Sequence, residues 1–244
     1  MSDYALSWDN VGERFYEIGV DHGVFYPLKD DGSYEDGEAW SGLSKVTNKA
    51  EGGDVNDIWA DNMKYAVLRS AETYGGTIEA YTYPEEFKQN NGEADLIVDG
   101  QGNGIPGITA SGQSRKAFGF SFRTKVGNDI DGLDHGYKIH IVYNATVNPS
   151  EKAYQTINDS PDAITMSWEF QTTPIKAEGT PLKNATAHIE IDTTKFEGGS
   201  NNKFIKDLEQ YLYGTPASGN DAEVEAKLPL PSKIVEIYNN SLNP

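Results

Sequence analysis

Hydrophobic and polar residues alternate along much of this chain. Phe118, Phe120 and Phe122 fall on one face of an extended segment, and Gly119, Ser121 and Arg123 on the other. A period of two marks a half-buried strand. Tyr137, Ile139, Ile141 and Tyr143 alternate with Lys138, His140 and Asn144, with Val142 out of pattern. Ile164, Met166, Trp168 and Phe170 alternate with Thr165, Ser167, Glu169 and Gln171, and Ile189 and Ile191 with His188, Glu190 and Asp192. Further strands are expected over 15–20, 23–28, 63–69 and 76–83. Polar, glycine-bearing turns separate them at Asp30-Asp31-Gly32, at Glu51-Gly52-Gly53-Asp54 and over 127–136. Many short strands with such turns predict a mainly β protein, an antiparallel sandwich or barrel.

Two segments change period. Pro84-Glu85-Glu86-Phe87 places proline at a first helical position with acids in the first turn, and Asn90-Asn91-Gly92 ends that short helix. Phe204, Leu208, Tyr211 and Leu212 share one face of a second, stronger helix. Residues 200–202 suit its start, and Gly214 suits its C-terminal cap. The helix is expected to cover an apolar sheet face or a barrel end.

Two stretches fit neither period. Residues 92–114 hold Asp99-Gly100-Gln101-Gly102-Asn103-Gly104 and then Ile105-Pro106-Gly107. So much glycine predicts a flexible loop or a protruding hairpin tip. The other follows Gly214, which divides the chain into a β domain over 1–214 and an extension over 215–244. Within the extension, 216–221 reads as a linker, and Leu228-Pro229-Leu230-Pro231 favours extended backbone. Residues 233–238 carry Ile234, Val235, Ile237 and Tyr238, which are apolar and β-prone. Two readings stay open: an arm that adds a strand to a neighbouring molecule, or a tail folded back on its own domain. On the arm reading, Asp99, Asn103 and Ile105 in the loop and Ile234, Val235, Ile237 and Tyr238 in the tail contact other subunits.

Composition narrows the class. The 244 residues carry 38 acidic and 20 basic side chains, a net charge of −18. Such a surface repels nucleic acid phosphates. It serves solubility, or it lets a polyanion pass without adhesion; charge alone does not choose. With no cysteine, disulfides and thiolate metal sites are excluded, which suits folding in a reducing compartment. No apolar run reaches the ~20 residues a bilayer demands, so no membrane insertion is expected. Met1-Ser2-Asp3-Tyr4 has neither a basic start nor an apolar stretch, so no signal peptide is expected.

Candidate chemistry is sparse. None of His22, His135, His140 and His188 sits in a metal-ligand pair. His140 and His188 lie on the polar faces of expected strands and read as surface histidines. No nucleophile elbow or phosphate-binding glycine loop occurs. Asp129, Asp131 and Asp134 cluster in a turn as calcium ligands do, but the glycine and closing glutamate of a calcium loop are missing, so a plain hairpin turn is expected. Trp8, Trp40, Trp59 and Trp168 suggest a sugar platform, although Trp168 belongs to an apolar strand face. Carboxylate pairs suited to glycoside hydrolysis carry no specificity among 38 acids. No cofactor and no catalytic activity are expected.

Several longer strings are distinctive. They are Trp8 to Arg14 (WDNVGER), Gly75 to Phe87 (GGTIEAYTYPEEF), Gln113 to Thr124 (QSRKAFGFSFRT), Asp134 to His140 (DHGYKIH) and Ile164 to Phe170 (ITMSWEF). In this order, from about Trp8 to Gly214, they resemble the major tail tube proteins of long, non-contractile-tailed bacteriophages. The glycine-rich stretch from Asp99 to Gly112 and the tail depart from that pattern. The resemblance implies a sandwich or barrel-like domain with a flanking helix, a short second helix and extended loops. It implies six-membered rings stacked into a hollow tube around a tape-measure protein, bounded by tail tip and terminator proteins. Viral DNA then transits the bore without sequence-specific binding. The particle would be assembled in the host cytoplasm and the protein would reside in the virion tail. Glu169, Glu190 and Asp192, opposite apolar strand faces, are the acids expected to face the bore or, equally, an outer solvated face. The competing class is a monomeric carbohydrate- or calcium-binding β-sandwich, which ligand would stabilise.

Overall fold

A computed structural model describes residues 6–70, 72–105, 107–157, 159, 162–217 and 223–242. The opening tetrapeptide and most of the expected linker lie outside them. Among these residues twelve strands form in chain order: β1 Tyr16–Pro27, β2 Glu38–Ala39, β3 Leu43–Gly52, β4 Val55–Ala60, β5 Met63–Arg69, β6 Glu72–Ala80, β7 Glu93–Asp95, β8 Thr109–Ser111, β9 Phe118–Asn128, β10 Gly132–Val147, β11 Met166–Thr172 and β12 His188–Asp192. Two helices follow, α1 Lys203–Tyr213 and α2 Pro231–Leu242. One antiparallel sheet runs β2-β1-β9-β10-β11-β6-β3, with β12 added on β10. The hairpins β4–β5 and β7–β8 stand apart from it.

The sheet folds over itself because β10 serves two neighbourhoods. Its middle pairs with β12 through Lys138 to Val142, and its last residues, Ala145 to Val147, pair with β11. Between them Asn144 adopts a left-handed backbone (φ 50°), and the register to β9 shifts between Val142 and Ala145. A bulge of this kind bends the strand and sharpens its twist. The bend closes an aromatic core of Phe25, Trp40, Ile78, Phe87, Phe118, Phe120, Phe122, Val142, Trp168 and Phe170. Trp40 and Trp168 meet edge to face at 5.7 Å, and their ring N–H groups donate to Thr82 O (2.9 Å) and Asn91 Oδ1 (2.8 Å).

A second core lies on the other face of β1, β9, β10 and β12. Val24, Tyr26, Ile139, Ile141, Tyr143 and Ile191 pack there against Phe204, Ile205, Leu208 and Leu212 of α1 and against Leu228 and Ile237 of the tail. The expected apolar stripe makes α1 fit; Asn202 Oδ1 caps it by accepting from Phe204 N at 2.9 Å. Arg123 ties sheet to helix, donating to Asp21 at 2.9 Å and to Glu209 at 3.3 Å.

This second layer corrects several expectations. β9 is buried on both faces from Phe118 to Ser121, because Gly119 and Ser121 face the helices rather than water. A Cβ on Gly119 would lie 2.3 Å from Leu228 Cδ2, so only glycine leaves room for the tail. Val142 is in register after all, pointing into the first core while its odd-numbered neighbours point into the second. Strands 15–20 and 23–28 are one strand, β1, bulged where Gly19 and His22 take positive φ. β6 begins at Glu72, earlier than expected. The short helix after Pro84 is a 3-10 turn, Glu85–Lys88, with Pro84 preceding it.

The tail is the largest correction. The segment expected to be β-prone, with Ile234, Val235, Ile237 and Tyr238, is the helix α2. Ile237 is buried against α1, and Tyr238 sets its ring edge on Phe204 at 5.3 Å. The approach to α2 is hydrogen-bonded throughout: Lys227 N to Tyr211 O (2.8 Å), Gly37 N to Ala226 O (2.8 Å) and Tyr143 Oη to Pro229 O (2.7 Å). Thr215 and Val224 bridge each other. The tail folds back on the second core, and Gly214 ends α1.

Candidate assembly surfaces

Among the apolar residues left uncovered by both cores, two hairpins stand out. β4 and β5 form a ribbon closed by Asp61 and Asn62, both with positive φ, as a tight two-residue hairpin turn demands. Val55, Ile58, Trp59, Met63, Tyr65, Val67 and Leu68 are all exposed, Trp59 by 66% and Tyr65 by 72%. Neither face of the ribbon is covered. Elsewhere, the N-terminal turn is clasped onto the β9–β10 tip: the Asp129 carboxylate accepts from Gly12 N (3.0 Å) and Arg14 N (3.3 Å). The clasp presents exposed Trp8, Val11 and Ile130. β6 and β10 both pair antiparallel with β11, so they run the same way.

The opposite end of β6 leads to the hairpin β7–β8. The chain leaves β6 at Ala80 and reaches β7 through the Glu85–Lys88 turn, and a nine-residue strand spans roughly 30 Å. The expected glycine-rich loop is this hairpin, extended by a Val98–Gly104 bridge. Asp99 organises its tip, accepting from Gln101 N (2.8 Å), Asn103 N (2.9 Å) and Asn103 Nδ2 (3.1 Å). These bonds hold the Asp99 carboxyl below its ordinary range. Leu96 and Val98 are 67% and 58% exposed, and Ile97, Ile105 and Ile108 less so.

Two strand edges are open as well. β3 ends the sheet over 10 residues, and among the described residues β12 pairs only with β10. Unpaired edges template further pairing unless something covers them. On the outward face of β3, β6 and β11, register brings together Ser167, Glu79 and Lys45, then Glu169, Thr77 and Thr47. Lys45 pairs with Glu79 at 3.1 Å and Lys49 with Glu51 at 3.2 Å.

The three acids expected to share a role are dispersed. Glu169 is exposed on that outward face and has no ion pair among the described residues. Glu190 is bound to Lys138 at 3.0 Å. Asp192 caps the 3-10 turn at Thr193–Lys195, accepting from Thr194 N at 2.9 Å. Asp129, Asp131 and Asp134 do not converge either; Asp131 turns to Asn128 and His135, and no group of three or more ligating side chains that could hold a metal occurs among the described residues. Trp40 and Trp168 are core, Trp8 and Trp59 surface, so the four tryptophans form no common platform. No described helix is long and apolar enough to cross a membrane.

The histidines overturn their surface reading. His140 is 2% exposed. It stacks on Phe122 at 4.6 Å and on His188 at 5.4 Å, and His188 stacks on Tyr74 at 4.3 Å. The alternation that put His140 opposite Ile139 and Ile141 was read correctly, but that face meets the first core rather than water. Burial pushes His188 down to about 4 and also depresses His140, outweighing the pull of Glu190 and Glu17.

A family model described as phage tail tube protein matches residues 29–238. The chain belongs to that family. A tail tube protein is a structural component of the virion tail and not an enzyme, consistent with a molecule whose exposed features are edges and apolar hairpins. No curated protein is significantly similar to the chain. Among solved structures, this tail tube protein is similar to a chain of the PVC sheath-tube complex, an extracellular contractile injection system in its extended state. The identity is 12%, over 78% of this chain and 93% of that one, with a TM-score of 0.34. It is also similar to a chain of the anti-feeding prophage baseplate, at 10% identity over 78% of this chain and 100% of that one, with a TM-score of 0.30. TM-scores this low transfer no residue-level role.

Proposed function

We propose that this tail tube protein forms six-membered rings that stack into the hollow tube of a long, non-contractile phage tail. The observation that carries the reading is the pairing of two unlike apolar ends, the β4–β5 ribbon with Trp59 and Tyr65 and the β7–β8 hairpin with Leu96 and Val98. Unlike ends meet head to tail, and such a contact propagates into a filament. Within a ring, the open edge of β3 in one copy meets the open β12 side of the next, which removes both edges. Asp99, Asn103 and Ile105 at the hairpin tip contact the neighbouring ring. The bore holds a tape-measure protein during assembly and passes DNA afterwards. Tail tip and terminator proteins close the two ends, and assembly proceeds in the host cytoplasm. Glu169 faces the bore, where an unpaired carboxylate discourages phosphate adhesion.

Negative-stain microscopy of concentrated protein, with and without an initiating tail tip, tests the reading. Rings and tubes are expected from the native chain and none from a Trp59→Asp/Tyr65→Asp variant that melts like the native monomer. A native chain that stays monomeric under all these conditions overturns it.

A further inference from the structure

Phe122, His140, His188 and Tyr74 stack as a column contributed by β9, β10, β12 and β6. β12 and β6 share no backbone pairing, so the His188–Tyr74 contact links two strands that the sheet leaves apart. Tyr74 stands two residues inside β6, opposite Ala50 of β3, where the ribbon is rooted. It also rests on Phe170 at 6.0 Å.

The hydrogen bonds through the column fix where its protons sit. Thr124 Oγ1 donates to Glu17 Oε1, so its oxygen accepts from His140 Nε2 at 3.0 Å. That leaves His140 Nδ1 bare, to accept from His188 Nε2–H at 3.2 Å. With both rings neutral, as their burial favours, this pattern assigns one tautomer to each. A proton added at His140 Nδ1 would face the His188 N–H. A proton added at His188 Nδ1 meets no acceptor among the described residues. The charged groups around the pair are Glu17 from β1, Lys138 from β10 and Glu190 from β12. Lys138 bonds both carboxylates, at 2.9 and 3.0 Å, and so blunts their attraction for a second cation. Tyr74 adds a phenol from β6 whose buried hydroxyl has no hydrogen-bond partner among the described residues.

We propose that His140 and His188 are a protonation-operated latch, holding β12 against the root of the β4–β5 ribbon while neutral and releasing it when either ring takes up a proton. The latch belongs to the single chain. Its consequence, that acid frees the ribbon and disfavours ring stacking, rests on the tube reading above.

The sign follows from linkage. Opened, a histidine binds its proton near 6.5; closed, His188 binds it only near 4. The opened form therefore gains protons first, and closure weakens as pH falls from 6.5 toward 4. For His188 alone, the opened population at pH 5.5 is about tenfold that at pH 8. Both conditions lie above the isoelectric point near 4.5.

Amide exchange of the free chain at pH 8 and 5.5, corrected for intrinsic rates, tests the latch. Residues 72–76 and 188–192 are expected to lose about tenfold more protection than α1. In His188→Gln, whose amide still donates toward His140 but does not titrate, that local loss is expected to shrink. A uniform loss, or the same local loss in His188→Gln, overturns the latch. Should the variant fail to fold, NMR titration of the native histidines decides: His188 titrating near 6.5 overturns the proposal, and a value well below supports it. A chain that never forms tubes sinks the tube reading and leaves this exchange result intact.

Discussion

The helix-backed half of the molecule and the ribbon half use the same alternating sequence for opposite ends. In β9 and β10, both faces of the strand are buried, one in the aromatic core and one under α1 and α2. In β4 and β5, neither face is covered. β11, with strict alternation of buried and exposed residues, is a half-buried strand of the kind a period of two implies. Alternation therefore reports which residues share a face, and not what that face meets. What it meets is set by whether a second layer arrives, from the same chain or from another copy.

Removing the layer that arrives from the same chain has the largest expected effect. Deleting 216–244 uncovers Tyr143, Leu208 and Gly119 and discards Leu228 and Ile237, each worth roughly 1.5–3 kcal/mol of burial. Against a total stability of order 5–15 kcal/mol, the truncated chain is expected to melt far lower or to precipitate; an unchanged melt would return the tail to the arm reading. Gly119→Val is a smaller perturbation of the same seat. Its Cβ meets Leu228, and overpacking of this kind costs about 1–3 kcal/mol, read by urea denaturation. Asn202→Ala removes the cap of α1 and is expected to cost about 1 kcal/mol without altering assembly. Smallest in the monomer is the ribbon itself. Trp59→Ala with Tyr65→Ala, at exposed positions, is expected to shift monomer stability within about 0.5 kcal/mol while assembly, followed by light scattering, is lost. Equal losses in both assays would mean the ribbon folds onto its own chain in solution.

Much of this was legible in the residues. The faces of β9, β10, β11 and β12, the stripe and cap of α1 and the hairpin character of 92–114 all follow from local spacing, which chemistry within a few residues decides. β3 shows no strand pattern in the sequence because it carries little apolar material beyond Leu43 and Val46; an edge strand exposed along one side has no need of more. α2 was missed because Leu228-Pro229-Leu230-Pro231 argues for extended backbone up to Pro231, where proline in fact opens a helix. Glu190 and Asp192 were placed on the right strand face, yet Lys138 and the Thr193–Lys195 turn already occupy them.

The sequence by itself determined that the chain is mainly β, which residues share each strand face, where α1 starts and stops, and that its ordered strings resemble tail tube proteins. Only the tertiary structure decided that His140 is buried, that Gly119 must stay small, that the tail closes the second core and that the ribbon stands bare. The reason is range. Periodicity and capping act between residues a few positions apart, whereas burial depends on partners such as Leu228 against Gly119 or Tyr74 against His188, which lie more than a hundred residues apart and meet only when the sheet bends at Asn144.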